Sequence, residues 1–540
     1  MIPSCELTHL GGLGEFGKNC LVIRSGGEAI VVDAGISFGD ELLPGIGVDR
    51  IAPDFSLLAR EKVVGIFLTH GHEDHIGALG ILLRTVSAPV FATPFTVALA
   101  DRRLSEEKGH AVLRAVPWRE PVEVGGFAVS FLPVSHSVPQ SAALLIESGG
   151  RKVFHTGDFK FDPDSPAGEG TDLDDIARRA GGCDLLLFDS TNADREGECP
   201  SESKAREGLH RLVAESAPGR MILTTFSSQV ARMAAAAEAA RAAGRRIAIL
   251  GRSMSEIAEI GERYGYLSFG SGALVGRETL AELSPRRTFV LCAGSQGEPS
   301  SALARVSAGV HPDLKTSPGD RVLFSARTIP GRESAVARVV DDFLRGGVAV
   351  ERDAAHVSGH AYRGDLERLV AALAPRAAMP VHGRRESLER GAAAARMAGV
   401  PAESVFVLEN GDSLFVGDEL RVERGARPAA AISLDSGGGL AIDEETLRDR
   451  RQLAGAGVVA LTISAEPLAA RDIALRGVAA PPGSEAEIAR EVESALGRAS
   501  ASDRANADWV RREAVLAARR VCRREWGIRP LVVVLIDPRR

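Results

Sequence analysis

The chain has 540 residues, enough for three to four domain-sized units of about 150 residues each and for several hydrophobic cores. Hydrophobic residues make up 45% and charged residues 25%, an ordinary globular balance; the aliphatic run 531–536 is too short to span a bilayer, so a membrane protein is excluded. The net charge of -7 excludes a globally basic nucleic-acid coat and confines any nucleic-acid site to a local groove. In the first half, short β-branched runs predict strands over 29–33, 63–69, 128–134, 152–155 and 184–189. Helices are predicted over 206–217 and 229–243, the second with Ser227 and Ser228 as N-caps. From 206 to 355 strand-then-helix units repeat: strands over 220–225, 246–250, 288–292, 321–325 and 348–351, and a helix over 333–345. That alternation predicts a doubly wound α/β unit. The glycine-rich stretch 425–439 reads as a linker or turn-rich connection. A small C-terminal α/β domain follows, with strands over 458–464 and 531–536 and helices over 484–500 and 508–526.

The six cysteines (Cys5, Cys20, Cys183, Cys199, Cys292 and Cys522) form no C-x-x-C pair, which argues for reduced thiols and against a disulfide scaffold or a zinc ribbon. The N-terminus shows no basic segment followed by an apolar stretch, so the expected location is cytoplasmic.

The strongest chemical signal follows the strand over 63–69. His70, His72, Asp74 and His75 place four ligand-type side chains within six residues, the donor set that zinc and similar divalent ions prefer. Asp33, His136, Asp158, Asp189 and His382 each sit at the C-terminal end of a predicted strand, where α/β proteins collect ligand sites. Singly, each is more often a satisfied polar residue; as a set at matching strand ends they point to a metal site. Ser227, Ser228 and Gln229 precede a helix and can face an anion, or they can simply cap that helix. The loop Gly294–Gly297 reads equally as an anion nest or a tight turn. Gly12, Gly14 and Gly17 match G-x-G-x-x-G, but a β-branched run follows instead of a helix, so a hairpin turn is predicted rather than a dinucleotide loop. In the last helix Val510, Ala514, Ala517 and Val521 form an apolar stripe flanked by arginines, read as a solvated face on a packed helix or as a site of RNA contact.

The H-x-H-x-D-H run, PVSHS and HTGDF resemble the metallo-β-lactamase superfamily. FDSTN (188–192), HVSGH (356–360) and PVHG (380–383) resemble its nucleic-acid-processing branch, the β-CASP nucleases. GGLGEFGKN (11–19), VVDAG (31–35), LPGI (43–46), HGHEDHIGAL (70–79), DSTNA (189–193), GSQGEP (294–299) and IPG (329–331) narrow the likeness to the bacterial ribonuclease J family. The resemblance implies an αββα sandwich formed by 1–205 and 356–428, with a β-CASP α/β domain, 206–355, inserted between them. A linker over 429–444 and a C-terminal domain over 445–540 would follow. It implies two Zn²⁺ per subunit, with Mn²⁺ or Mg²⁺ as alternatives. His70, His72 and His136 would hold one ion, Asp74, His75 and His382 the other, and Asp158 both. Asp33 would orient a ligand imidazole, His360 would protonate the leaving oxygen and Asp189 would hold His360. Ser227, Ser228, Gln229 and the segment His356, Val357, Ser358, Gly359 and His360 would take the nucleotide phosphate. The implied activity is hydrolysis of RNA, 5′-to-3′ exonucleolytic and endonucleolytic, in RNA maturation and decay. The implied assembly is a homodimer or homotetramer, supported by the C-terminal domain and its apolar stripe, within an RNA-degradation complex and away from membranes.

Other readings stand beside it: a β-CASP nuclease acting mainly on DNA, a non-catalytic assembly subunit of the same fold, or a small-molecule hydrolase. The last leaves FDSTN, HVSGH and the intervening α/β domain without explanation. The chain departs from the family pattern at Arg384 and Arg385, where Glu and Tyr are usual, at Gln229, where Asn is usual, and around Asp49, which Gly47 and Val48 precede.

Overall fold

The computed structural model of the chain describes residues 5–38, 45–163, 165, 168–215, 218–329, 331–436, 439–465 and 467–537. Leu43 and Pro44 of LPGI, Pro330 of IPG, the end of the helix expected over 206–217, and Gly437 and Gly438 lie outside the described residues. The described residues divide into two compact units, 1–37 with 52–431 and 38–51 with 432–540.

In the first unit two mixed sheets face each other. One has eight strands, in the order Leu420–Glu423, Ser413–Val416, Cys5–Gly11, Cys20–Ser25, Glu28–Val32, Val63–Phe67, Val90–Ala92 and Leu113–Ala115. The other has six, in the order Pro121–Val124, Phe127–Pro133, Ala142–Ser148, Arg151–His155, Leu185–Asp189 and Ala378–Val381. Alternation along each strand sends one set of side chains inward, so Ile30, Val32, Phe67, Phe131, Leu144, Leu187 and Leu414 fill the space between the sheets. The opposite face of the six-stranded sheet, with Leu145, Phe154 and Leu186, is covered by helices carrying Leu366, Leu369, Leu373 and Ala394. This is the expected αββα sandwich.

The order of the six-stranded sheet explains how distant segments share a site. Ala378–Val381 pairs in parallel with Leu185–Asp189, Asp189 opposite Val381. A strand from far along the chain therefore closes the sheet and delivers His382 beside Asp189.

In sequence, a five-stranded, wholly parallel sheet separates those two strands, ordered Arg246–Leu250, Thr288–Cys292, Met221–Thr224, Arg321–Phe324 and Ala349–Glu351. Helices Val230–Ala242, Arg252–Arg263, Ala302–Ser307 and Glu333–Arg345 alternate with its strands, as the strand–helix repeat predicts. Ser227 and Ser228 do not cap the first of these helices: Gln229 is the N-cap residue, without a side-chain cap bond. The turn 12–19 joins the antiparallel strands Cys5–Gly11 and Cys20–Ser25, so it is a hairpin-type connection and not a dinucleotide loop.

The second unit packs Ser484–Gly497 and Ala507–Trp526 on a three-stranded sheet of Ala469–Arg476, Val458–Ser464 and Leu531–Asp537. The stripe Val510, Ala514, Ala517 and Val521 is buried in that core, so it is unavailable as an assembly surface. Around it Arg511 pairs with Asp508, and Arg520 and Arg524 with Glu491, a solvated charged face. The stretch expected as a linker contains strand Ala431–Asp435, antiparallel to Ala441–Ile442, and ends where helix Glu444–Ala456 begins. That helix fully buries no residue, Leu447 alone packing partly buried on Ile46, Val48 and Ile51, so the apolar signal in its sequence is weak; it begins where the Asp443 carboxylate accepts from Thr446 N–H at 2.7 Å. Among the described residues no helix is long and apolar enough to cross a membrane.

Candidate metal centre

Six strand ends, those of Glu28–Val32, Val63–Phe67, Phe127–Pro133, Arg151–His155, Leu185–Asp189 and Ala378–Val381, converge at one rim of the sandwich. After Val63–Phe67 the chain turns through His70 and Gly71, and His72 becomes the N-cap residue of the one-turn helix Glu73–Ile76. Gly71 is required by packing, because a Cβ there would come 2.2 Å from Leu99 Cδ1. Asp33 and His382 both adopt left-handed backbone, φ +62° and +56°. Such strain in a non-glycine residue persists only where the surroundings over-determine it.

The imidazoles point inward. His70 Nε2 and His136 Nε2 lie 3.1 and 3.2 Å from His72 Nδ1, and Asp158 Oδ2 stands 3.7 and 3.8 Å from the same two Nε2 atoms. On the other side of Asp158, His75 Nε2 is 3.4 Å from Oδ2 and His382 Nδ1 is 2.7 Å from Oδ1. Asp74 Oδ2 lies 3.7 Å from His75 Nε2 and 3.3 Å from His382 Nε2. The ligand-type atoms of His70, His72, His136 and Asp158 fall within 4.8 Å of one another, and so do those of Asp74, His75, Asp158 and His382. A third such group joins Asp158, Asp189, His360 and His382. Asp158 belongs to all three.

The donor set fits divalent cations. Burial, helped by neighbouring imidazoles, pushes His70 and His136 well below the usual imidazole range, and burial brings His72 down to about 4. With Nδ1 of His136 facing the Gly359 carbonyl and Nδ1 of His70 facing the Thr69 hydroxyl, the neutral tautomer of each ring leaves a lone pair on Nε2 directed at the cluster. Burial opposes ionisation of Asp158, but His382 and His75 outweigh it and hold the carboxyl well below the ordinary range. Burial would likewise strip His75 of its proton, yet Asp158, Asp74 and Asp33 together push it well above its usual value. A buried carboxylate cluster of this kind calls for compensating positive charge.

Four of the rings, those of His70, His75, His136 and His360, are held from behind. Asp33 Oδ1 accepts from Thr69 N–H and Oδ2 from the Thr69 hydroxyl, both at 2.8 Å, and Oδ2 also lies 2.8 Å from His75 Nδ1. Thr69 Oγ1 is in turn 3.1 Å from His70 Nδ1. His136 Nδ1 lies 2.8 Å from the Gly359 carbonyl, and Asp189 Oδ2 lies 2.8 Å from His360 Nδ1. Thr191 fixes the other Asp189 oxygen through its N–H at 2.9 Å and its hydroxyl at 2.6 Å. Metal-binding imidazoles need such partners to set tautomer and orientation.

The residues expected to take a phosphate divide. Ser228 Oγ lies 2.9 Å from His72 Nε2, while Ser227 Oγ meets Ser253 Oγ at 3.1 Å. Gln229 is buried and its Oε1 has no partner among the described residues. In the 356–360 segment, Val357 is buried and Ser358 Oγ accepts from Asn192 Nδ2 at 2.7 Å. Gly359 backs His136, and His360 is the half-open member of the rim. His356 Nδ1 is buried without a partner among the described residues; burial, then the Arg232 and Arg195 charges, bring the pKa of the ring to about 4. The loop Gly294–Gly297 is a tight turn rather than a nest: Gly297 N–H donates to Gly294 O, and the Gln296 amide ties down Arg327 O and Ile329 N.

Sequence reasoning passed over Thr69, Asn19, Ser137 and the carbonyl role of Gly359. Asn19 Nδ2 donates to Asp74 O and lies 3.1 Å from His75 Nε2, and Ser137 Oγ lies 3.2 Å from His72 Nε2. Asn19 and Ser137 each stood inside a quoted motif; a backbone carbonyl leaves no side-chain signal. Behind the cluster is a cavity of about 20 Å³ lined by His9, Cys20, His75, His155 and Asp158 among others.

Comparison with known proteins agrees with this architecture. Residues 28–250 match the family described as beta-lactamase superfamily domain, 218–343 the ribonuclease J beta-CASP domain, 348–406 the Zn-dependent metallo-hydrolase RNA specificity domain, and 445–537 the ribonuclease J C-terminal domain. Ribonuclease J of Mycobacterium tuberculosis is 36% identical over 503 residues, 91% of this chain and 89% of that protein. Ribonuclease J of Synechocystis is 33% identical, over 98% and 86% of the two chains. The relative in Helicobacter pylori is 35% identical over 85% and 67%. Among solved structures, an Enterococcus faecalis protein of unknown function shares the fold, with a TM-score of 0.56 at 15% identity over 76% of this chain and 100% of that one. With a metal-ligand cluster on an αββα sandwich, an inserted parallel α/β domain and relatives alike over nearly the whole length, the chain belongs to the ribonuclease J family of metallo-β-lactamase-fold ribonucleases.

Proposed function

We propose that this protein is a metal-dependent ribonuclease that hydrolyses RNA by 5′-to-3′ exonucleolysis and by endonucleolytic cleavage, in RNA maturation and decay. The single observation that carries the reading is the convergence on Asp158 of two donor groups from segments far apart in the chain. In this reading His70, His72 and His136 would hold one cation, Asp74, His75 and His382 a second, with Asp158 serving both; the ions would be Zn²⁺, with Mn²⁺ or Mg²⁺ able to replace them. When bound, such ions supply a water that is nucleophilic at neutral pH and charge neutralisation on the phosphoryl oxygens.

The chain's own groups do the rest. Asp33 and Thr69 hold His75 and His70 in their orientations. Water adds to phosphorus and sheds one proton to solvent, the bond to the upstream 3′ oxygen breaks, and His360 gives its proton to that oxygen and is reprotonated from solvent, leaving a 5′-phosphate downstream. His360 is suited to proton donation. Burial opposes its protonation, but the Asp189 carboxylate 2.8 Å away raises its pKa above the usual imidazole value. The Ser227–Gln229 and His356–His360 segments flank the cluster and would hold the nucleotide phosphate. The core comprises 1–205 and 356–428, the β-CASP insertion 206–355, and the C-terminal domain 445–540. The protein would act in the cytoplasm, as a homodimer or homotetramer and within an RNA-degradation complex, through surfaces other than the buried stripe of its last helix.

The test is a set of RNA oligomers that differ only in the 5′ end, with a DNA oligomer of the same sequence. The reading expects 5′-monophosphate RNA to be degraded faster than triphosphate or hydroxyl RNA. Preferential digestion of DNA, or no hydrolysis with Zn²⁺, Mn²⁺ or Mg²⁺ supplied, would overturn it.

A further inference from the structure

Arg384 and Arg385 are adjacent in sequence but differ in their surroundings. Arg385 is neutralised: its Nη2 is 2.8 Å from Glu389 Oε1 and its Nη1 3.1 Å from Glu409 Oε1. Arg384 is exposed and makes no ion pair among the described residues. Instead its guanidinium carbon stands 5.9 Å over the centroid of the Phe16 ring. Phe16 is itself 37% exposed and meets the His382 ring edge-on, centroids 6.2 Å apart.

The backbone locks this stack in place. Leu13–Gly14 pairs in parallel with Gly383–Arg384, and Glu15 bridges to Gly383. Asn410 Oδ1 accepts from Leu13 N–H and Asn410 Nδ2 donates to Glu15 Oε1. Glu15, the acidic residue of the same turn, is also engaged by Lys18 Nζ at 2.9 Å. The rim next to His382 therefore carries a positioned guanidinium that pairs with no carboxylate among the described residues. Its fork of N–H donors suits phosphate oxygens, and the aromatic face fixes its plane.

We propose that Arg384, seated on Phe16, binds a non-scissile backbone phosphate of the RNA where the strand passes His382. This rests on the RNA-hydrolysis reading above and adds a contact to it. The test compares the metal-loaded full-length protein with Arg384→Gln, Phe16→Leu and Arg385→Gln on one single-stranded RNA oligomer. The measured quantity is kcat/KM across about 50 to 200 mM salt. Each phosphate neutralised on a single strand contributes about 0.7 to the slope of log affinity against log salt. Arg384→Gln should lower kcat/KM about three- to tenfold at low salt and flatten the slope by about 0.7. Phe16→Leu should give a smaller loss in the same direction, and Arg385→Gln should follow the parent. An unchanged slope in Arg384→Gln, with the parent cleaving RNA normally, would overturn this contact and leave the activity standing. A parent that cleaves no RNA would overturn the activity and this contact with it.

Discussion

Gly359 offers a sharp test of how the site is held. Its carbonyl lies 2.8 Å from His136 Nδ1, and a Cβ added at this position would stand 2.9 Å from His136 Cε1 and 3.0 Å from Nδ1. Ordinary carbon contacts begin near 3.5 Å, so Gly359→Ala must push the ring or the segment by about 0.5 Å or more. The substitution needs no unusual backbone, because Gly359 is not among the positive-φ glycines. Its closest conflict is therefore with the His136 ring, with Ser137 Cβ next at 3.4 Å. Loss of a partner that orients a metal-binding imidazole lowers metal affinity or activity about 10- to 100-fold, equivalent to about 1.4–2.7 kcal/mol. The assay is zinc affinity by competition with a chromophoric chelator, alongside hydrolysis of end-labelled RNA at saturating zinc. Gly359→Ala should bind zinc 10- to 100-fold more weakly and recover part of its rate at high zinc. Parental zinc affinity and parental turnover together would refute the role given to His136 and the segment behind it.

Asp33→Asn keeps the shape of a side chain that accepts from Thr69 and faces His75, but removes its charge; metal affinity should fall about 10- to 100-fold, measured by the same competition. His9 is buried beside the small cavity, and burial, with the nearby His155, brings its pKa down to about 3. A histidine depressed on folding takes up its proton in the unfolded chain first, so stability falls as pH drops from about 6.5 towards 3. His9→Leu should flatten that acid limb in thermal melts recorded between about pH 6.5 and pH 4, and a limb as steep as the parent's would assign it to other groups. Ala517→Asp would place an uncompensated charge in the C-terminal core, so limited proteolysis of the full-length protein should open residues 458–537. A change in oligomeric state with protease resistance intact would instead return that helix face to an assembly role.

How much of this was legible in the sequence depends on the kind of interaction. The ligand-type residues announced themselves because metal chemistry requires a narrow set of side chains, and strand ends are where an α/β fold gathers them. His70, His72, His136 and Asp158 stood out for that reason and lie together in the structure, whereas the link between Asp189 and His360 came from the family resemblance alone. The groups that hold those rings were less so. A Gly359 carbonyl looks like every other carbonyl in the chain, and Thr69 becomes a hub only because Asp33 is folded against it. Helix Glu444–Ala456 escaped notice because its sequence, EETLRDRRQLAGA, carries few apolar residues and so a weak apolar period, with Leu447 only partly buried. The apolar stripe of Ala507–Trp526 was visible, yet periodicity alone does not say whether a stripe meets its own core or another chain; here its own core covers it.

Charge follows the same rule at the two adjacent arginines. Their sequence context is common, but Glu389 reaches Arg385 as its i+4 neighbour on helix Arg385–Met397, and Glu409 reaches it only because the loop before Ser413–Val416 meets that helix. The pairing of Leu13–Gly14 with Gly383–Arg384 turns Arg384 onto Phe16 instead. Net charge near a site is thus set by which cations the fold leaves uncompensated, a quantity that counting Lys and Arg does not supply. In a chain of net charge -7, one such guanidinium beside His382 weighs more in attracting a polyanion than several arginines already paired with glutamates on the C-terminal helix.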